Sequence, residues 1–455
     1  MAFASAVEAY DEARQPDGTP RPGYAPVLAA LESRDLSALA RDVREGVADR
    51  GVGFSSIDGD ADFNIDPVPR VLTGEEWAPL EAGIAQRARA LNAFVADVYG
   101  ARRAVAEGVV EARVVEGAGN YEPGMQGVRM PDDQWVGIAG LDIVRGADGR
   151  FAVLEDNCLT PSGYGYALAA RHALIEHLAA AADPPPRGLD GVAELLASTL
   201  RAGSPVEGEP VIVVLTDGPE NSAHWEHQRA AELLCVALVE CGELTLDDDR
   251  VQHEGRTVDV IYRRTNADTL DTRIGRLLHG PLRAGTLGMV NPFGCGVADD
   301  KLVHAYVEDL IRFYLREEPL LPSVETLDLG RPEVLERALD TLHELVVKPR
   351  TGYGGIGVVV CPHAERADVE ALREQIRAAP TEFIAQPMVA LSTHPTVIDG
   401  RLEPRHVDLR PYPFLTGAGE ARVLPGGLSR VAFGEGALVV NSTQNGGAKD
   451  TWIVD

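Results

Sequence analysis

A glycine-rich turn follows a lysine at the end of an apolar run, in the segment VVKPRTGYGGIG (346–357). Glycines let the backbone approach phosphate groups closely with its N–H groups directed at their oxygens, and a lysine in front of the turn adds a positive charge. Lys348 precedes the glycines, whereas in the Walker pattern the lysine follows them and a helix comes next. The order predicts a phosphate-binding strand, turn and strand. Taken alone, a glycine-rich hairpin with a surface lysine explains the segment about as well.

Acidic and amide side chains gather at a second place, at Asp142, Glu155 and Asn157. Glu155 and Asn157 are two residues apart and share one face of a strand, and the turn GADG (146–149) predicts a β-hairpin that brings Asp142 beside them. Two carboxylates and an amide oxygen suit Mg²⁺, a hard cation that is commonly held by few protein ligands and by nucleotide phosphates. The alternative is a solvated polar face of a hairpin. The segment TPSGYGY (160–166) argues against it, because its composition is typical of an ordered loop next to the acidic cluster.

A third polar motif, ADDK (298–301), opens an amphipathic segment that predicts a helix over 298–315. Asp299 or Asp300 would serve as an ordinary helix cap. Lys301 is less readily explained there, because the dipole of a helix disfavours a cation at its N-terminus. A bound anion would relieve that conflict.

Arginines accompany polar loops in several strand-like or turn segments: Arg263, Arg264, Arg405, Arg410 and Arg430. A bidentate arginine could bind a carboxylate or phosphate group and stabilise the oxyanion of a tetrahedral species, although a structural ion pair is the ordinary role of an arginine in a chain this acidic. Arg410 is the first candidate for a catalytic arginine, because Asp408 and Arg410 share one face of a strand. Arg263 or Arg264 comes next.

The surrounding patterns predict the elements that position these residues. Apolar spacing predicts a long amphipathic helix over 75–100, and the strand, turn and helix of 209–234 open a doubly wound α/β unit. Further strands are predicted within 258–264, 342–360 and 381–389. The chain is accordingly divided into three regions: 1–204 with the metal-binding hairpin, 205–300 as a Rossmann-like α/β domain, and 301–455 with the phosphate-binding, glycine-rich turn and a β-rich C-terminal part.

The composition limits the partners. With 455 residues and a formal net charge of −28, the surface repels phosphate backbones and anionic lipids, so neither nucleic acid nor membrane is an expected partner. Five cysteines without CxxC spacing indicate neither a disulfide framework nor a zinc site. No apolar run approaches the ~20 residues that span a bilayer and no signal peptide is evident, so a cytoplasmic location is expected. The oligomeric state is left open.

The order of these motifs resembles one family. The chain contains, in order, a segment with Asp-Lys, a strand with Val-Lys-Pro, a Gly-rich turn and a strand leading to a hinge. This series resembles the ATP-binding half of ATP-grasp enzymes. In those enzymes a hairpin ending in Glu-x-Asn normally follows it. Here that hairpin comes first. The chain is thereby similar to the circularly permuted ATP-grasp family, type 2, which resembles glutathionylspermidine synthase. The matching segments span most of the chain: FNIDPVPR (63–70), EDNCLTPSGYGY (155–166), IYRRTNAD (261–268), GVADDK (296–301), RHVDLRPY (405–412), PGGLSRVA (425–432) and NSTQNGGAKDTW (441–452).

The resemblance implies an ATP-grasp fold of mixed α+β and α/β type, circularly permuted, and roles for individual residues. Lys301 and Lys348 would hold the phosphates of ATP, and Asp142, Glu155 and Asn157 would bind Mg²⁺. The lid over the phosphates and the adenine hinge would be formed by two further sets: Gly352, Gly354, Gly355 and Gly357 for the lid, and Gln386, Pro387 and Met388 for the hinge. The hinge reads AQP where many relatives of the wider superfamily have acidic residues.

The implied activity is ATP- and Mg²⁺-dependent ligation of a carboxylate, on a small molecule or peptide, to an amine through an acyl phosphate. Alternatives are a phosphotransferase on the same site, which stops after phosphorylation, and a nucleotide-binding partner protein without turnover. A plain interaction scaffold would not need several polar, glycine-containing motifs. Neither substrate can be identified from the sequence.

Overall fold

A computed structural model describes residues 9–56, 59–178, 181, 184–266, 269–352, 356–417, 419–434, 436–437 and 446–455. Helices and sheets are mixed, as predicted. The α-helices of the described residues are α1 Tyr24–Glu32, α2 Leu36–Asp49, α3 Gly74–Tyr99, α4 Arg103–Ala106, α5 Ala112–Glu116, α6 Tyr164–Leu178, α7 Val192–Ala202, α8 His224–Leu234, α9 Arg273–Ala284, α10 Val307–Leu315, α11 Pro332–Asp340 and α12 Arg366–Ala378. The strands are β1 Gly53–Ser56, β2 Gly59–Asp62, β3 Arg70–Thr73, β4 Gly140–Arg145, β5 Phe151–Asn157, β6 Ile212–Thr216, β7 Ala237–Glu240, β8 Leu244–Asp247, β9 Arg250–His253, β10 Arg256–Thr257, β11 Val260–Arg264, β12 Gly288–Val290, β13 Leu327–Asp328, β14 Leu345–Pro349, β15 Val359–Val360, β16 Phe383–Pro387, β17 Thr393–Ile398, β18 Arg401–Arg410, β19 Pro413–Gly417, β20 Glu420–Val423, β21 Leu428–Ala432 and β22 Gly446–Val454.

The largest sheet joins strands from distant parts of the sequence. Its order is β3-β22-β21-β18-β4-β5, with β17 paired to β18. Strand β22 runs parallel to β3, with Trp452 opposite Val71, and both side chains are buried. Strands before residue 160 thus complete a sheet whose other strands follow residue 392, which places the acidic hairpin beside Arg410 and Arg430.

The hairpin predicted from the GADG turn is confirmed. Strands β4 and β5 pair antiparallel, and the register places Asp142 opposite Glu155 and Gly140 opposite Asn157. Gly149 in the turn has a φ of 76°, a conformation that favours glycine. A bulge between Asp142 and Ile143 interrupts the pairing beside the acidic residues, and bulges commonly re-aim side chains next to functional sites.

A second, parallel sheet has the order β12-β11-β6-β7. Every residue of β11 is buried, including Arg263 and Arg264 at its end. Helices α7 and α8 pack on this sheet, and a parallel sheet covered on its faces requires nearly continuous apolar strands such as those predicted here. All four strands lie within the predicted 205–300 region. The division of the chain into three regions remains a prediction.

A smaller antiparallel sheet, β13-β16-β14-β15, carries Lys348 and the predicted hinge. Helices α11 and α12 supply it with a hydrophobic core of its own, in which Leu339, Val347 and Ile376 are almost fully buried. A separate core makes this sheet a packed unit of its own, and its residues Lys348, Ile384 and Gln386 line one cleft with Leu154 and Glu155 of β5.

Helix α3 confirms the helix predicted over 75–100. It begins with a capping box, because the hydroxyl of Thr73 accepts from the backbone N–H of Glu76 at 3.2 Å and the carboxylate of Glu76 accepts from the backbone N–H of Thr73 at 3.1 Å. The apolar face of the helix lies in the main core. Arg87 is a fully buried cation on this helix and needs a buried partner, which it finds at the candidate site.

The helix predicted over 298–315 is wrong in its first half. Cys295–Asp299 and Val303–Tyr306 are 3₁₀ turns, and α10 begins only at Val307. Lys301 therefore lies in a turn between two short 3₁₀ segments, and an α-helix dipole does not explain its environment.

The two aspartates of this segment account for the difference. The carboxylate of Asp299 accepts from the backbone N–H groups of Cys158 and Leu159, the latter at 3.1 Å, instead of capping a helix. The carboxylate of Asp300 accepts from the backbone N–H of Leu302 at 2.9 Å and from Arg350 Nε at 2.8 Å. These contacts fix the turn to the loop after β5 and to the residue after β14.

Candidate functional site

Both predicted phosphate lysines lie at the acidic hairpin. The ammonium of Lys301 is 3.3 Å from Oε1 of Glu155 and donates to the carbonyl oxygen of Gly352 at 2.6 Å. Burial lowers the pKa of Lys348, while Glu155 opposes this shift and Lys301 adds to it. The turn before α10, the strand β14 and the hairpin thus meet at Glu155.

The place where they meet is a narrow cleft between the large sheet and the small sheet. Its lining consists of Leu154, Glu155, Asp156, Asp299, Lys301, His304, Lys348, Ile384 and Gln386. Residues from sequence positions 154 to 386 therefore face one space, although no short stretch of sequence contains them all.

The chain has three lysines, at 301, 348 and 449. Two of them line this cleft, and the third, Lys449, is fully buried in an ion pair with Asp66. The other side-chain cations of this chain are arginines, so two of its three lysines lie in one cleft. The compact ammonium group of lysine binds phosphate as a point charge.

Part of the predicted lid and hinge is described. Gly352 and Gly357 have φ angles of 116° and 75°, and a Cβ at Gly357 would lie 2.7 Å from Pro349 Cγ. Both positions therefore require glycine for the turn itself. Gly354 and Gly355 lie outside the described residues.

The hinge strand presents a mixed surface. Gln386 is buried, and its Nε2 donates to Oγ1 of Thr326 at 2.8 Å. Pro387 and Met388 follow at the exposed end of β16, and Met388 is 40% exposed. An exposed apolar side chain beside a cleft is suited to contact a flat aromatic base.

Asp142 lies at the hairpin but is engaged by arginines. Its two oxygens accept from Nε and Nη2 of Arg410 at 2.7 and 2.9 Å, and Nη2 of Arg430 is 2.8 Å from Oδ2. Although burial opposes it, Arg410 and Arg430 lower the pKa of Asp142 to about 2. Arg430 also pairs with Asp408 across the strands, so two carboxylates and two guanidiniums form one network, of which only Arg410 is partly exposed. A magnesium ligand role for Asp142 would require it to share or exchange these partners, and it stays a prediction.

Glu155 and Asn157 fit a hard cation better. The Glu155 side chain is 29% exposed, and Nδ2 of Asn157 is buried without a hydrogen-bond partner among the described residues. That nitrogen is a hydrogen-bond donor and cannot bind a metal; the carboxylate oxygens of Glu155 and the amide oxygen of Asn157 are the donors that Mg²⁺ prefers. Their role as ligands also remains a prediction.

The two consecutive arginines of β11 have different surroundings. Arg264 donates to the carbonyl oxygen of Pro161 at 2.7 Å and to Glu226 at 3.2 Å. Arg263 donates to the carbonyl oxygen of Asn291 at 2.9 Å. Arg264 therefore holds the loop that follows β5, near the acidic hairpin, whereas the guanidinium of Arg263 holds the loop after β12. No observation tests either as a catalytic residue.

Three residues that sequence reasoning missed form a buried triad beside the cleft. Nε and Nη2 of Arg87 donate to the two oxygens of Asp156 at 2.6 and 2.7 Å, and Nδ1 of His304 lies 2.7 Å from Oδ2 of Asp156. The sequence contained two indirect signals. Asp156 stands between Glu155 and Asn157 and must therefore face the opposite side of the strand, and Arg87 lies on the apolar face of a long helix.

The chain belongs to the circularly permuted ATP-grasp family, type 2, whose pattern matches residues 69–432. The resemblance drawn from the motifs is thereby confirmed, as is the fold class. A permuted order also explains why the acidic hairpin precedes Lys301 and Lys348 in sequence while lying against them in space.

Several relatives share nearly all of this chain. A Frankia casuarinae protein provisionally named glutamate–cysteine ligase 2-2 is 44% identical over 98% of this chain and 53% of its own length. An uncharacterized protein of Mycobacterium tuberculosis is 40% identical over 98% of this chain and 84% of its own length. The chain thus spans about half the length of the first curated relatives it matches.

A solved structure has a similar fold. The apo form of a glutathione synthetase-like effector (GSS30) from Globodera pallida superposes with a TM-score of 0.62 at 12% identity, over 93% of this chain and 98% of that one. At this identity the likeness concerns the fold. Separately, none of the helices in the described part of the chain has the length and apolar character needed to cross a bilayer.

Proposed function

We propose that this protein is an ATP- and Mg²⁺-dependent carboxylate–amine ligase that forms an amide through an acyl phosphate. The observation that carries the proposal is the placement of Lys301 and Lys348 in one cleft with Glu155. Membership of the ATP-grasp family supports it, and so does the name of the Frankia relatives, which describes a ligase that joins glutamate and cysteine. The expected partners are a small-molecule or peptide carboxylate and an amine.

The nucleotide would lie in the cleft between the two sheets. Lys301 and Lys348 would hold its phosphates, under the lid of Gly352, Gly354, Gly355 and Gly357. The strand that ends in Gln386, Pro387 and Met388 would line the adenine. Burial is the main cause of the lowered pKa of Lys348, and the charge of Lys301 adds to it. A bound phosphate would stabilise the charged form of both ammonium groups.

Glu155 and Asn157 would hold the metal, with Asp142 as a third ligand if its arginines release it. Bound there, Mg²⁺ would neutralise charge on the transferring phosphoryl group and orient it. The side chains themselves position the reactants and exclude water, which is most of what protein groups contribute to phosphoryl transfer.

The proposed reaction has two steps. An oxygen of the substrate carboxylate bonds to the γ-phosphorus of ATP while the bond from that phosphorus to the bridging oxygen breaks, and ADP leaves. The lone pair of the amine then attacks the acyl carbon, the bond to the phosphate oxygen breaks, inorganic phosphate leaves, and the nitrogen releases a proton. Arg410, with one side of its guanidinium already fixed by Asp142, is the first candidate to hold the oxyanion of the second step. Arg264 and Arg263 are the next candidates.

Hydroxylamine trapping tests this chemistry. The protein is incubated with ATP, Mg²⁺, hydroxylamine and a pool of amino acids and short peptides, and the nucleotide and acyl products are identified. ADP together with a hydroxamate is expected, and Lys348→Ala should abolish both. AMP with pyrophosphate would contradict the acyl phosphate, and ADP with a stable phosphorylated product and no hydroxamate would indicate a phosphotransferase. A screen of amines for stimulated ADP release would then identify the second substrate.

A further inference from the structure

Arg350 joins the two segments that carry the proposed phosphate lysines. It lies two positions after Lys348, and its side chain is 5% exposed. Its Nε donates to the two oxygens of Asp300 at 2.8 and 2.9 Å, and Asp300 immediately precedes Lys301. A buried ion pair therefore connects residues that are next to, or one residue away from, the two lysines.

Helix α5 holds the rest of the guanidinium. Nη2 of Arg350 donates to the carbonyl oxygen of Val114, and Nη1 lies 3.5 Å from the carbonyl oxygen of Arg113. The last carbonyl groups of a helix carry partial negative charge and attract a cation. The side chain of Val114 is fully buried in the main core, so α5 gives the ion pair a fixed support. A Cβ at Gly117, the residue after the helix, would lie 2.7 Å from Nη1, so a glycine there leaves room for the guanidinium.

Backbone hydrogen bonds fix both ends of this link. The N–H of Arg350 donates to the carbonyl oxygen of Glu382 at 2.8 Å, at the start of β16. A carboxylate oxygen of Asp300 accepts from the backbone N–H of Leu302 at 2.9 Å. The ion pair thus joins the small sheet to the 3₁₀ turns before α10, and a shift of either end would move an ammonium group of the cleft.

A second contact between the same two segments has a different character. Nζ of Lys301 donates to the carbonyl oxygen of Gly352 at 2.6 Å, and this contact uses an ammonium group that is proposed to bind phosphate. The pair of Asp300 and Arg350 uses neither lysine. It can therefore persist while both lysines hold a ligand.

We infer that Arg350 is a positioning residue that, through Asp300, sets the distance between the ammonium groups of Lys301 and Lys348, so that both reach the phosphates of one nucleotide. The guanidinium does not touch the nucleotide, because its donors are directed at Asp300 and at the end of α5. This inference rests on the proposed function, since it assumes that the two lysines bind the phosphates of ATP. Holding charged groups in place before the substrate arrives is a main contribution of a protein to phosphoryl transfer.

A matched control pair joins the same helix to the same sheet. Arg113 of α5 donates to the carboxylate of Asp328 in β13 at 3.1 and 2.6 Å. Neither residue is close in sequence to Lys301 or Lys348. The variant Arg113→Met therefore removes a link between α5 and the small sheet and leaves the ion pair beside the lysines in place.

The preference for ATP over AMP tests the inference, because AMP lacks the β- and γ-phosphates. Dissociation constants of the whole protein with Mg²⁺ are measured for both by competition with a fluorescent ATP analogue, and the readout is the AMP constant divided by the ATP constant. Arg350→Met keeps an apolar stem and should lower this ratio at least about fivefold, because a displaced ammonium group loses part of a charge-assisted hydrogen bond. Arg350→Lys, which retains the charge, should keep part of the ratio. Arg113→Met should stay within about twofold of the wild-type ratio.

Two further variants extend the test. Asp300→Asn changes the other end of the link and should also lower the ratio. In Lys301→Ala/Lys348→Ala no ammonium group remains to be positioned, so the addition of Arg350→Met should leave the ratio unchanged. A further decrease there would mean that the guanidinium binds the phosphates itself, and it would overturn the positioning role.

The outcomes separate the two proposals. If the wild type does not bind ATP at all, the proposed function fails. If the wild type prefers ATP to AMP and both Arg350→Met and Asp300→Asn keep that preference, only the role of Arg350 is refuted. An equal decrease in Arg350→Met and Arg113→Met would refute it too, as would a wild type that binds AMP as tightly as ATP. Because the readout is a ratio of affinities within one protein, a partial loss of folded protein in a variant leaves it unchanged.

Discussion

The guanidinium of Arg410 makes two hydrogen bonds, of 2.7 and 2.9 Å, to the carboxylate of Asp142, a residue 268 positions earlier in the chain. This pair joins the predicted metal-binding hairpin to the strand that carries the first candidate for a catalytic arginine. Arg430 reaches the same carboxylate. Asp142 is thus the anion that keeps together one buried guanidinium, that of Arg430, and one partly buried guanidinium, that of Arg410, in addition to any part it has in binding a metal.

Removal of this anion should destabilise the fold. In Asp142→Ala, Arg410 and Arg430 would face each other without their shared carboxylate, and breaking a buried ion pair costs about 3–5 kcal/mol. The free energy of unfolding in urea measures the effect. Asp148→Ala, in the exposed turn of the same hairpin, is the control and should change it by less than about 0.5 kcal/mol. Equal stability of the two variants would contradict a structural role for Asp142.

Loss of Lys348 should weaken nucleotide binding. The ammonium lies in the cleft beside Glu155 and Lys301, and a charge-assisted hydrogen bond to phosphate contributes about 1.5–3 kcal/mol. Calorimetric titration with ATP and Mg²⁺ should therefore show a dissociation constant raised by at least about tenfold in Lys348→Ala. Arg377→Ala removes an exposed cation from α12 on the same small sheet and should bind like the wild type. Unchanged affinity in Lys348→Ala would remove this lysine from the phosphate site.

Substitution of Glu155 should raise the requirement for magnesium. Glu155→Gln keeps the size of the side chain and removes the charge of a proposed metal ligand, so the Mg²⁺ concentration for half-maximal ADP release should rise by at least about tenfold. Asp148→Asn on the same hairpin leaves it unchanged. A structure with Mg²⁺ and nucleotide gives the direct check: ligand oxygens would lie at about 2.0–2.1 Å from the metal, and a metal bound far from Glu155 would refute the assignment.

Stability should fall in mild acid because of His227. Burial, with Arg264 and His224 adding to it, lowers the pKa of His227 to about 2, while the unfolded chain protonates this residue near pH 6.5. The unfolded state therefore binds the extra proton first, and the contribution of His227 is complete above about pH 6.5 and is lost as the pH falls toward 2.

The expected loss from this residue is about 2 kcal/mol between pH 7 and pH 5. Urea unfolding at these two values measures it. His227→Asn can keep a hydrogen bond to Thr216, which the wild-type ring meets at 2.9 Å, and should reduce the difference between the two pH values. His343→Asn, at an exposed site, should preserve it. A wild-type stability that is flat over this range would contradict the prediction.

Local sequence patterns were sufficient to predict helices and strands. The contacts within the site depend on pairings between residues far apart in the sequence and could therefore be predicted only in part. The turn GADG and the alternation around it were sufficient for the β4–β5 hairpin, and Lys348 with its glycines was sufficient for a strand, turn and strand. The start of α10 was misplaced because Asp299 and Asp300 bond to residues near 158 and 350, which no local pattern contains.

The buried triad could not be found from the sequence for the same reason. Arg87, Asp156 and His304 come from three separate elements, and each alone has an ordinary explanation as a surface or core residue. Likewise, the spacing of Asp142, Glu155 and Asn157 predicted their shared location, but the capture of Asp142 by two arginines of the C-terminal strands depends on the pairing of β18 with β4 and β21.

Because the chain contains few lysines, amine-reactive reagents can label the cleft selectively. Because Lys449 is fully buried against Asp66, amine-reactive aldehydes or esters added to the folded protein would meet few side-chain targets other than Lys301 and Lys348. A reversible pyridoxal-type label should therefore report on occupancy of the cleft, and ligands bound there should protect the protein from labelling. Ligand screening could then proceed by mass spectrometry of the intact protein, before either substrate is known.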